Sequence, residues 1–177
     1  MRNSYDPADV QRIVEQLAAR MAAAFDANQP LNIVGIRTRG EVLAERLSRL
    51  LADAHHYAHI GRGVLDITLY RDDLSEIGPR PLVRPTVLDF PIDGNPLILI
   101  DDVLFTGRSV RAALDALSDF GRPSMIRLAV LADRGGRELP IQPDFVGLTL
   151  TDVPKDHRVN VRFAETDGRD EITVEPR

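Results

Sequence analysis

The segment Pro96–Val110 constrains this chain more than any other. It reads PLILIDDVLFTGRSV, in which Leu97–Ile100 is a continuous apolar run, typical of a strand buried on both faces of a parallel sheet. Asp101 and Asp102 follow at once, and Thr106–Ser109 opens a segment with helical apolar spacing. The segment predicts a strand, an exit loop over Asp101–Gly107 and a helix. Ligands of open α/β sheets bind at the carboxyl ends of such strands.

The turn Thr106–Ser109 has the chemistry of an anion site. Thr106, Gly107, Arg108 and Ser109 supply backbone N–H groups, two hydroxyls and a helix N-terminus, and Gly107 has no side chain to block close approach. By itself, such a turn is also typical of an ordinary helix cap.

Asp101 and Asp102 offer acceptors for two vicinal hydroxyls, as found in a ribose beside its own 5′-phosphate. A solvated loop and a Mg²⁺ site are alternative interpretations of the pair. Successive strand residues point to opposite faces, so both carboxylates are expected to reach one sugar only if the strand has ended and the chain bends there.

The remaining elements alternate between strands and helices. Asp6-Pro7 with apolar residues at helical spacing predicts a first helix over residues 7–25, and Gly121 is a plausible stop for the helix after Ser109. A second helix is predicted over residues 40–54. Predicted strands are Leu31–Ile36, Gly63–Arg71, Met125–Ala132, Phe145–Leu150, Val159–Phe163 and Glu171–Val174. The pattern predicts an α/β fold in one domain over residues 1–177, with a central parallel sheet flanked by helices.

Residues 72–95 interrupt this regularity. The segment carries Pro79, Pro81, Pro85 and Pro91 among charged residues. An irregular segment of this length inside a domain is typical of a lid or of disorder, and it could also contain one extended arm of a hairpin.

Composition excludes several functional classes. The chain has no cysteine, which excludes disulfides, thiolate metal sites and a cysteine nucleophile. Lys155 is the sole lysine, and no GxxxxGK[ST] or GxGxxG motif occurs in the sequence. These motifs are typical of nucleoside triphosphatases and dinucleotide dehydrogenases, so their absence argues against both classes. The net charge of −5 argues against bulk electrostatic binding of nucleic acid. With no signal peptide and no apolar run of membrane length, we expect a cytoplasmic protein without membrane contact.

Leu97–Ser109 resembles the PRPP-binding motif of type I phosphoribosyltransferases, where PRPP is 5-phosphoribosyl-1-pyrophosphate. The likeness extends through Val34–Gly40 (VGIRTRG), Leu65–Leu74 (LDITLYRDDL) and Ala113–Ile141. Over nearly the whole chain, the sequence is similar to the bacterial family that joins pyrimidine operon attenuation with uracil phosphoribosyltransferase activity. The resemblance implies the type I phosphoribosyltransferase fold, with a flexible lid hairpin over residues 71–95 and a small hood over residues 133–177.

The resemblance also implies roles for individual residues. Asp101 and Asp102 would bind the ribose hydroxyls as catalytic residues, and with Val103, Leu104, Phe105 and Thr106–Ser109 they would form the PRPP site. Thr38, Arg39 and Gly40 would form a pyrophosphate loop in which a non-proline cis peptide is typical, with Arg39 facing the leaving group. Asp133, Arg134 and Val159 would contact the base from the hood. Arg80 or Arg84 would reach the pyrophosphate from the lid. For Arg37 and Arg39, the residues alone favour a solvated turn, and for Val159 an edge hairpin.

The implied reaction makes UMP and pyrophosphate from uracil and PRPP. Mg²⁺ would arrive with PRPP, and Asp101 and Asp102 are possible ligands. Purine-specific relatives usually carry a further acid at the position of Phe105, so an aromatic residue there argues against a purine base. The family also implies a homodimer or a larger homo-oligomer.

The second implied activity is UMP-dependent binding to the leader mRNA of a pyrimidine operon. The sequence departs from the family here, because Gly136, Gln142, Leu148 and Ala19 stand where the family usually carries basic or histidine residues. Arg137 remains as a candidate RNA contact, and Arg12, Arg20 and Arg127 could add charge. A UMP-sensing RNA regulator without catalysis and a transferase for another base therefore stay open.

Three histidines, His55, His56 and His59, lie close together before a Gly-Arg-Gly turn. A metal site and a polar helix end are both possible interpretations. The helix end is favoured because no carboxylate or cysteine is spaced to complete a metal site.

Overall fold

The structure is a computed structural model that describes residues 2–72 and 82–177. The helices are α1 (Pro7–Ala22), α2 (Arg39–His55), α3 (Arg108–Ser118) and α4 (Ala164–Asp167). The strands are β1 (Ser4–Tyr5), β2 (Leu31–Ile36), β3 (Ile60–Leu65), β4 (Val87–Leu88), β5 (Pro96–Leu104), β6 (Met125–Asp133), β7 (Phe145–Thr149), β8 (His157–Arg162) and β9 (Glu171–Pro176). No helix within the described ranges combines the length and the apolar character needed to cross a bilayer.

Six strands form the main sheet in the order β4-β3-β2-β5-β6-β7. All neighbours are parallel except β4, which pairs antiparallel with β3 at the edge. A separate antiparallel sheet has the order β1-β9-β8, so the predicted hood segment is joined by Ser4–Tyr5 from the other end of the chain. The predicted α/β fold with a central parallel sheet is confirmed, with one antiparallel edge strand.

The apolar residues of β2 and β5 alternate between two cores. On one face of the sheet, Leu43 and Leu47 of α2 belong to the same buried cluster as Ile33 and the apolar side of α1. On the other face, Val110 of α3 belongs to the cluster that contains Leu99. The helix after β2 and the helix after β5 therefore cover opposite faces, which makes the boundary between these strands the topological switch point where open α/β sheets bind ligands.

Helix α1 shows why its start could be predicted. Asp6 accepts a hydrogen bond from the N–H of Asp9 at 2.9 Å, and the Asp9 carboxylate accepts one from the N–H of Asp6 at 3.3 Å. This reciprocal capping satisfies two N–H groups that a helix start leaves unpaired. The apolar stripe of the helix is buried, and the helix ends at Ala22, a few residues before the predicted end.

The predicted strand Gly63–Arg71 is wrong in its second half. Strand β3 begins at Ile60 and ends at Leu65, and Thr68–Tyr70 forms a 3-10 turn. The carboxylate of Asp66 accepts hydrogen bonds from the N–H groups of Thr68 at 2.7 Å and Arg84 at 2.6 Å. A side chain that pairs with the backbone two residues later favours a turn over a strand.

The proline-rich segment does contain one arm of a hairpin. Val87 and Leu88 pair antiparallel with Val64 and Gly63. The other arm of the predicted lid, including Arg80, falls on residues 73–81, outside the described residues.

Candidate active site

A cavity of about 410 Å³ lies at the switch point between β2 and β5. Its walls come from the end of β5, the turn after β2 and the segments on either side of the lid. They include Thr38, Arg39, Asp66, Arg84, Asp101, Asp102 and Ser109. The structure thus brings together two predicted groups that are far apart in sequence, the acidic pair and the pyrophosphate loop. A larger cavity of about 920 Å³ lies beside it, along α2 and β3, and contains neither Asp101 nor Asp102.

The predicted exit loop Asp101–Gly107 is wrong at its start, because β5 continues to Leu104. The strand persists since β6 still pairs with it, with Asp101 opposite Val130 and Leu104 opposite Asp133. On its other side, pairing with β2 stops at Ile100. The open edge of β5 faces the cavity, so Asp101 and Asp102 both line it although the strand has not ended.

The two acids lie in a poorly solvated place. Burial raises the pKa of Asp101 well above its usual range, and the neighbouring charge of Asp102 raises it further. Burial also raises the pKa of Asp102, which hydrogen bonds and the charge of Arg39 partly oppose. Burial disfavours the charged form of a carboxylate. A bound cation, or hydroxyl groups that donate hydrogen bonds, would stabilise the charged form of Asp101 and Asp102.

The predicted anion turn surrounds a small cavity of about 130 Å³ that borders on Asp101. Thr106, Gly107 and Ser109 line it, and α3 begins at Arg108. Gly107 has a φ of 92°, which L side chains rarely adopt, and a Cβ there would lie 3.3 Å from Ile141. Arg108 does not line this cavity: its guanidinium pairs with Asp72 at 2.5 Å and Glu138 at 2.7 Å, and its backbone N–H donates to the Thr106 hydroxyl at 3.4 Å.

A second segment, residues 134–141, braces this loop, and we call it the brace. The backbone N–H of Arg134 donates to the carbonyl of Leu104, and those of Glu138 and Leu139 donate to the carbonyl of Thr106, all within 3.0–3.1 Å. The loop that would hold a phosphate is therefore fixed by backbone hydrogen bonds from a neighbouring segment.

Arg137 contributes to the brace with its side chain. Its guanidinium donates to the carbonyls of Phe105 and Ile141, both at 2.9 Å, and to Asp133 at 2.7 Å. The side chain is only 15% exposed. The structure thus places the predicted RNA residue, half-buried, against the phosphate loop, and an RNA contact at Arg137 remains a prediction.

The predicted base contacts in the hood have internal partners as well. Arg134 is buried, stacks on the Phe105 ring with Cζ 4.0 Å from its centre, and donates to the carbonyl of His157 at 2.7 Å. The carboxylate of Asp133 accepts from Gly135 N–H at 2.9 Å as well as from Arg137. Val159 is buried opposite Val174 in the hood sheet. These side chains shape the hood wall, and base contacts at these positions remain a prediction.

The turn after β2 carries the predicted pyrophosphate loop. The peptide bond between Arg37 and Thr38 is cis, as the resemblance implied, and Arg39 opens α2. A Cβ at Gly40 would lie 2.6 Å from the carbonyl of Ile100, so glycine lets α2 start directly against β5. Arg39 pairs with Asp167 of α4, Nη2 to Oδ1 at 2.9 Å. Of the two arginines predicted to reach the pyrophosphate from the lid, Arg84 lies within the described residues and lines the same cavity.

The donor set at Asp101 and Asp102 fits a magnesium ion that arrives with its own phosphates. Magnesium prefers oxygen ligands and is commonly held by one or two carboxylates together with substrate phosphates and water. Within residues 2–72 and 82–177, no three side chains of His, Cys, Asp or Glu come together as a metal site. A buried carboxylate and a half-buried one beside an anion cup suit such a shared ion. Of the three histidines for which a polar helix end was favoured, His55 is the last residue of α2, and His56 follows it as the C-cap with a left-handed φ of 60°.

Comparison with known proteins agrees with this geometry. The model of the family described as "Phosphoribosyl transferase domain" matches residues 5–164. The chain is 49% identical over 170 residues to the "Bifunctional protein PyrR" of Desulfosudis oleivorans, covering 96% of this chain and 93% of the relative. It is 50% identical over 166 residues to that of Chloroflexus aurantiacus, covering 94% and 90%. The chain belongs to the PyrR family of phosphoribosyltransferases.

Solved structures support the fold of this PyrR-family protein. The hypoxanthine-guanine phosphoribosyltransferase of Bacillus anthracis superposes with a TM-score of 0.69 at 16% identity, covering 98% of each chain. The hypoxanthine phosphoribosyltransferase of Trypanosoma cruzi gives 0.69 at 18% identity, covering 100% of this chain and 98% of its own. At such identity the likeness establishes the shared phosphoribosyltransferase fold alone.

Sequence reasoning missed three parts of this site. Asp66 fastens the base of the lid, the brace holds the phosphate loop, and Asp167 holds Arg39. Asp66 directly follows the last residue of β3, so its position at the carboxyl end of a strand could have pointed to it. Asp167 lies 128 residues from Arg39 and gives no local signal.

Proposed function

We propose that this chain transfers the phosphoribosyl group of PRPP to uracil, yielding UMP and pyrophosphate. The observation that carries the proposal is the acidic pair Asp101 and Asp102 on the open edge of β5, bordering both the main cavity and the anion cup. In a ribose 5-phosphate, the hydroxyl-bearing carbon C3 and the phosphate-bearing carbon C5 are separated by one carbon. The hydroxyls could therefore reach the acidic pair while the phosphate occupies the anion cup. Membership in the PyrR family supports this substrate class.

Each half of the site has a separate task in the transfer. The cup at Thr106–Ser109 holds the 5′-phosphate with N–H groups and hydroxyls, Asp101 and Asp102 accept hydrogen bonds from the ribose hydroxyls, and Arg39 faces the pyrophosphate. The bond from ribose C1 to the pyrophosphate oxygen breaks and a bond from C1 to uracil N1 forms, with oxocarbenium character at C1 as in glycoside cleavage. No nucleophilic side chain is needed.

Magnesium bound with PRPP would neutralise charge on the departing pyrophosphate, held by Asp101 and Asp102. The lid that begins after Asp66 would exclude water that otherwise hydrolyses PRPP. Phe105 provides no proton acceptor, so the N1 proton of uracil is lost late in the reaction or to solvent.

The test is formation of UMP by purified protein from labelled uracil, PRPP and Mg²⁺, with hypoxanthine and orotate as competing bases. We expect turnover with uracil alone. Asp102→Asn keeps the shape of the side chain but weakens its acceptance of ribose hydroxyls, and we expect a loss of turnover of at least a hundredfold, typical for loss of a charge-assisted contact to a reacting group. Turnover with hypoxanthine or orotate in place of uracil would contradict the assignment of the base.

We also propose that the protein binds the leader mRNA of a pyrimidine operon when UMP is bound, as its family membership implies. The described surface supports this activity less than it supports catalysis. Arg12 pairs with Asp9, Arg20 donates to the carbonyl of Val146, and Arg127 pairs with Asp144 at 2.6 Å. The cations expected to supply positive charge thus already have partners within the chain.

The test of the RNA activity is a titration with a labelled leader hairpin, with and without UMP, at several salt concentrations. Binding to phosphates should weaken steeply as salt rises. Tight UMP binding without turnover, together with RNA binding, would favour a nucleotide-sensing regulator instead of an enzyme. A homodimer or larger assembly is part of the same proposal, and sedimentation velocity tests it.

A further inference from the structure

Asp167 in the hood accepts hydrogen bonds from one edge of the Arg39 guanidinium, the group proposed to face pyrophosphate. Nη2 of Arg39 lies 2.9 Å from Oδ1 of Asp167, and Nε lies 3.4 Å from Oδ2. Among the described residues, Nη1 has no hydrogen-bond partner. The contact therefore uses the Nε and Nη2 edge of the guanidinium and leaves its other end available to an anion.

Asp167 is itself held rigidly. It accepts hydrogen bonds from the N–H of Phe163 at 3.0 Å and from the hydroxyl of Thr166 at 2.8 Å, and its side chain is 19% exposed. Together with Arg39, these contacts lower the pKa of Asp167 to about 2. The carboxylate is therefore ionised at every physiological pH.

The short helix that carries Asp167 is also tied to the body of the protein. Arg46 of α2 pairs with Glu165 at 2.5 Å and with Asp170 at 2.7 Å, and its guanidinium lies 4.7 Å from the centre of the Phe163 ring. These contacts flank Asp167 on both sides in sequence. Because Arg39 and Arg46 both lie on α2, the hood and the pyrophosphate loop are fixed to the same helix.

Arg39 needs such support. Its side chain is 42% exposed, and a long exposed side chain loses considerable rotamer freedom when it binds a ligand. The charge of Arg39 acts on Asp102, where it opposes the rise of that carboxyl's pKa. The guanidinium of Arg39 is thus held at the edge of the site, where its positive charge acts on the Asp102 carboxyl.

We propose that Asp167 is a positioning residue for the transfer reaction, which holds Arg39 ready for the pyrophosphate group of PRPP. The inference rests on the proposed function. UMP has the same ribose and 5′-phosphate but no pyrophosphate, so binding of UMP does not need Arg39 to be positioned. Loss of Asp167 is therefore expected to weaken the binding of pyrophosphate and to leave the binding of UMP unchanged.

The experiment uses Asp167→Asn, which preserves the size of the side chain and removes its charge. Calorimetry measures the affinity for magnesium pyrophosphate and for UMP, and steady-state kinetics gives KM for PRPP and kcat. Holding one long side chain in place contributes about threefold to tenfold in affinity. We expect a loss of this size in pyrophosphate affinity, an increase of similar size in KM for PRPP, and UMP affinity unchanged within about twofold.

The matched control is Glu171→Gln. Glu171 is also a hood carboxylate with a 19% exposed side chain, and it pairs with Arg162 at 2.6 Å, away from Arg39. We expect it to bind both ligands as the unmodified protein does. A second variant, Asp167→Glu, retains the charge and should recover part of the pyrophosphate affinity.

Equal loss of UMP and pyrophosphate affinity in Asp167→Asn would overturn the proposal, because it would indicate general damage to the hood. Tighter pyrophosphate binding would overturn it too, since Asp167 would then compete with the ligand for Arg39. If the unmodified protein makes no UMP and yet Asp167→Asn selectively loses pyrophosphate affinity, the positioning role stands and the proposed catalysis fails.

Discussion

The two halves of the candidate active site are held in different ways. On the phosphate side, the loop at residues 104–107 receives backbone hydrogen bonds from the brace, and the Arg137 side chain donates to the carbonyl of Phe105 at 2.9 Å. On the pyrophosphate side, Arg39 is held by the carboxylate of Asp167, and the lid base is held by the carboxylate of Asp66. The phosphate half is fixed mainly by backbone hydrogen bonds, and the pyrophosphate half is fixed by carboxylate side chains.

The difference matches what each half does with its ligand under the proposed function. The 5′-phosphate belongs to both PRPP and UMP, so its cup can stay the same throughout the reaction. The pyrophosphate must enter and leave. Exposed ion pairs contribute little stability, about 0–1 kcal/mol, and can rearrange easily, whereas buried backbone hydrogen bonds leave unsatisfied groups when broken.

Arg137→Ala should have the largest effect. The carbonyls of Phe105 and Ile141 and the carboxylate of Asp133 lose a donor, and we expect a loss of about 2 kcal/mol in the free energy of unfolding. UMP affinity should fall more than tenfold, since the loop that carries the cup loosens. Urea unfolding and calorimetry measure the two effects.

Arg158→Ala is the control for that variant. Arg158 is a hood arginine with a 59% exposed side chain, 3.5 Å from Glu175, and its loss should change stability by less than about 0.5 kcal/mol. If Arg137→Ala lowered RNA binding and left UMP affinity and stability intact, the bracing role would be wrong and Arg137 would return as an RNA contact.

Gly107→Ala tests the shape of the cup. A side chain at a φ of 92° costs about 1–2 kcal/mol in the folded state, and its Cβ would also press on Ile141. Gly94→Ala provides the comparison, because Gly94 has a φ of 72° with nothing within 4 Å. We expect both variants to lose stability in urea unfolding, and only Gly107→Ala to lose UMP affinity. Equal UMP affinity in the two variants would contradict the close fit of the cup.

Asp66→Ala tests the pyrophosphate side of the site, which is held by carboxylate side chains. The N–H groups of Thr68 and Arg84 lose their acceptor at the base of the lid, and we expect a loss of about 1 kcal/mol in stability. KM for PRPP should rise severalfold while UMP affinity remains unchanged. Asp89→Ala, an exposed acid of the same segment, is expected to change neither value. A parallel loss of UMP affinity would remove the distinction between the halves.

The smallest expected effect is the pH dependence of the Asp167 contact. The pKa of Asp167 is about 2 in the folded protein against an ordinary 3.8, so its contribution to stability is present above pH 4. It is lost as pH falls toward 2. The stability difference between the unmodified protein and Asp167→Asn should therefore narrow between about pH 4 and pH 2 in urea unfolding. A constant difference would mean that the ion pair contributes nothing to folding.

Local patterns were sufficient where the deciding contacts are local. The capping box of α1, the buried strand Leu31–Ile36 and the succession of strand, acids and glycine turn at residues 96–110 each depend on residues a few positions apart. The predicted end of β5 was wrong because its length depends on pairing with β6. The predicted strand Gly63–Arg71 was wrong because the Asp66 carboxylate accepts from the N–H of Thr68, which favours a turn, and from the N–H of Arg84, 18 residues away.

The sequence by itself determined the fold class, the family and the two motifs that meet at the switch point. It did so because apolar periodicity and turn chemistry are properties of short segments. Only the tertiary structure decided that Arg137 braces the phosphate loop, that both acids reach the cavity from an unbroken strand, and that Asp167 holds Arg39. These contacts join distant segments through side-chain directions, which depend on how the whole chain packs.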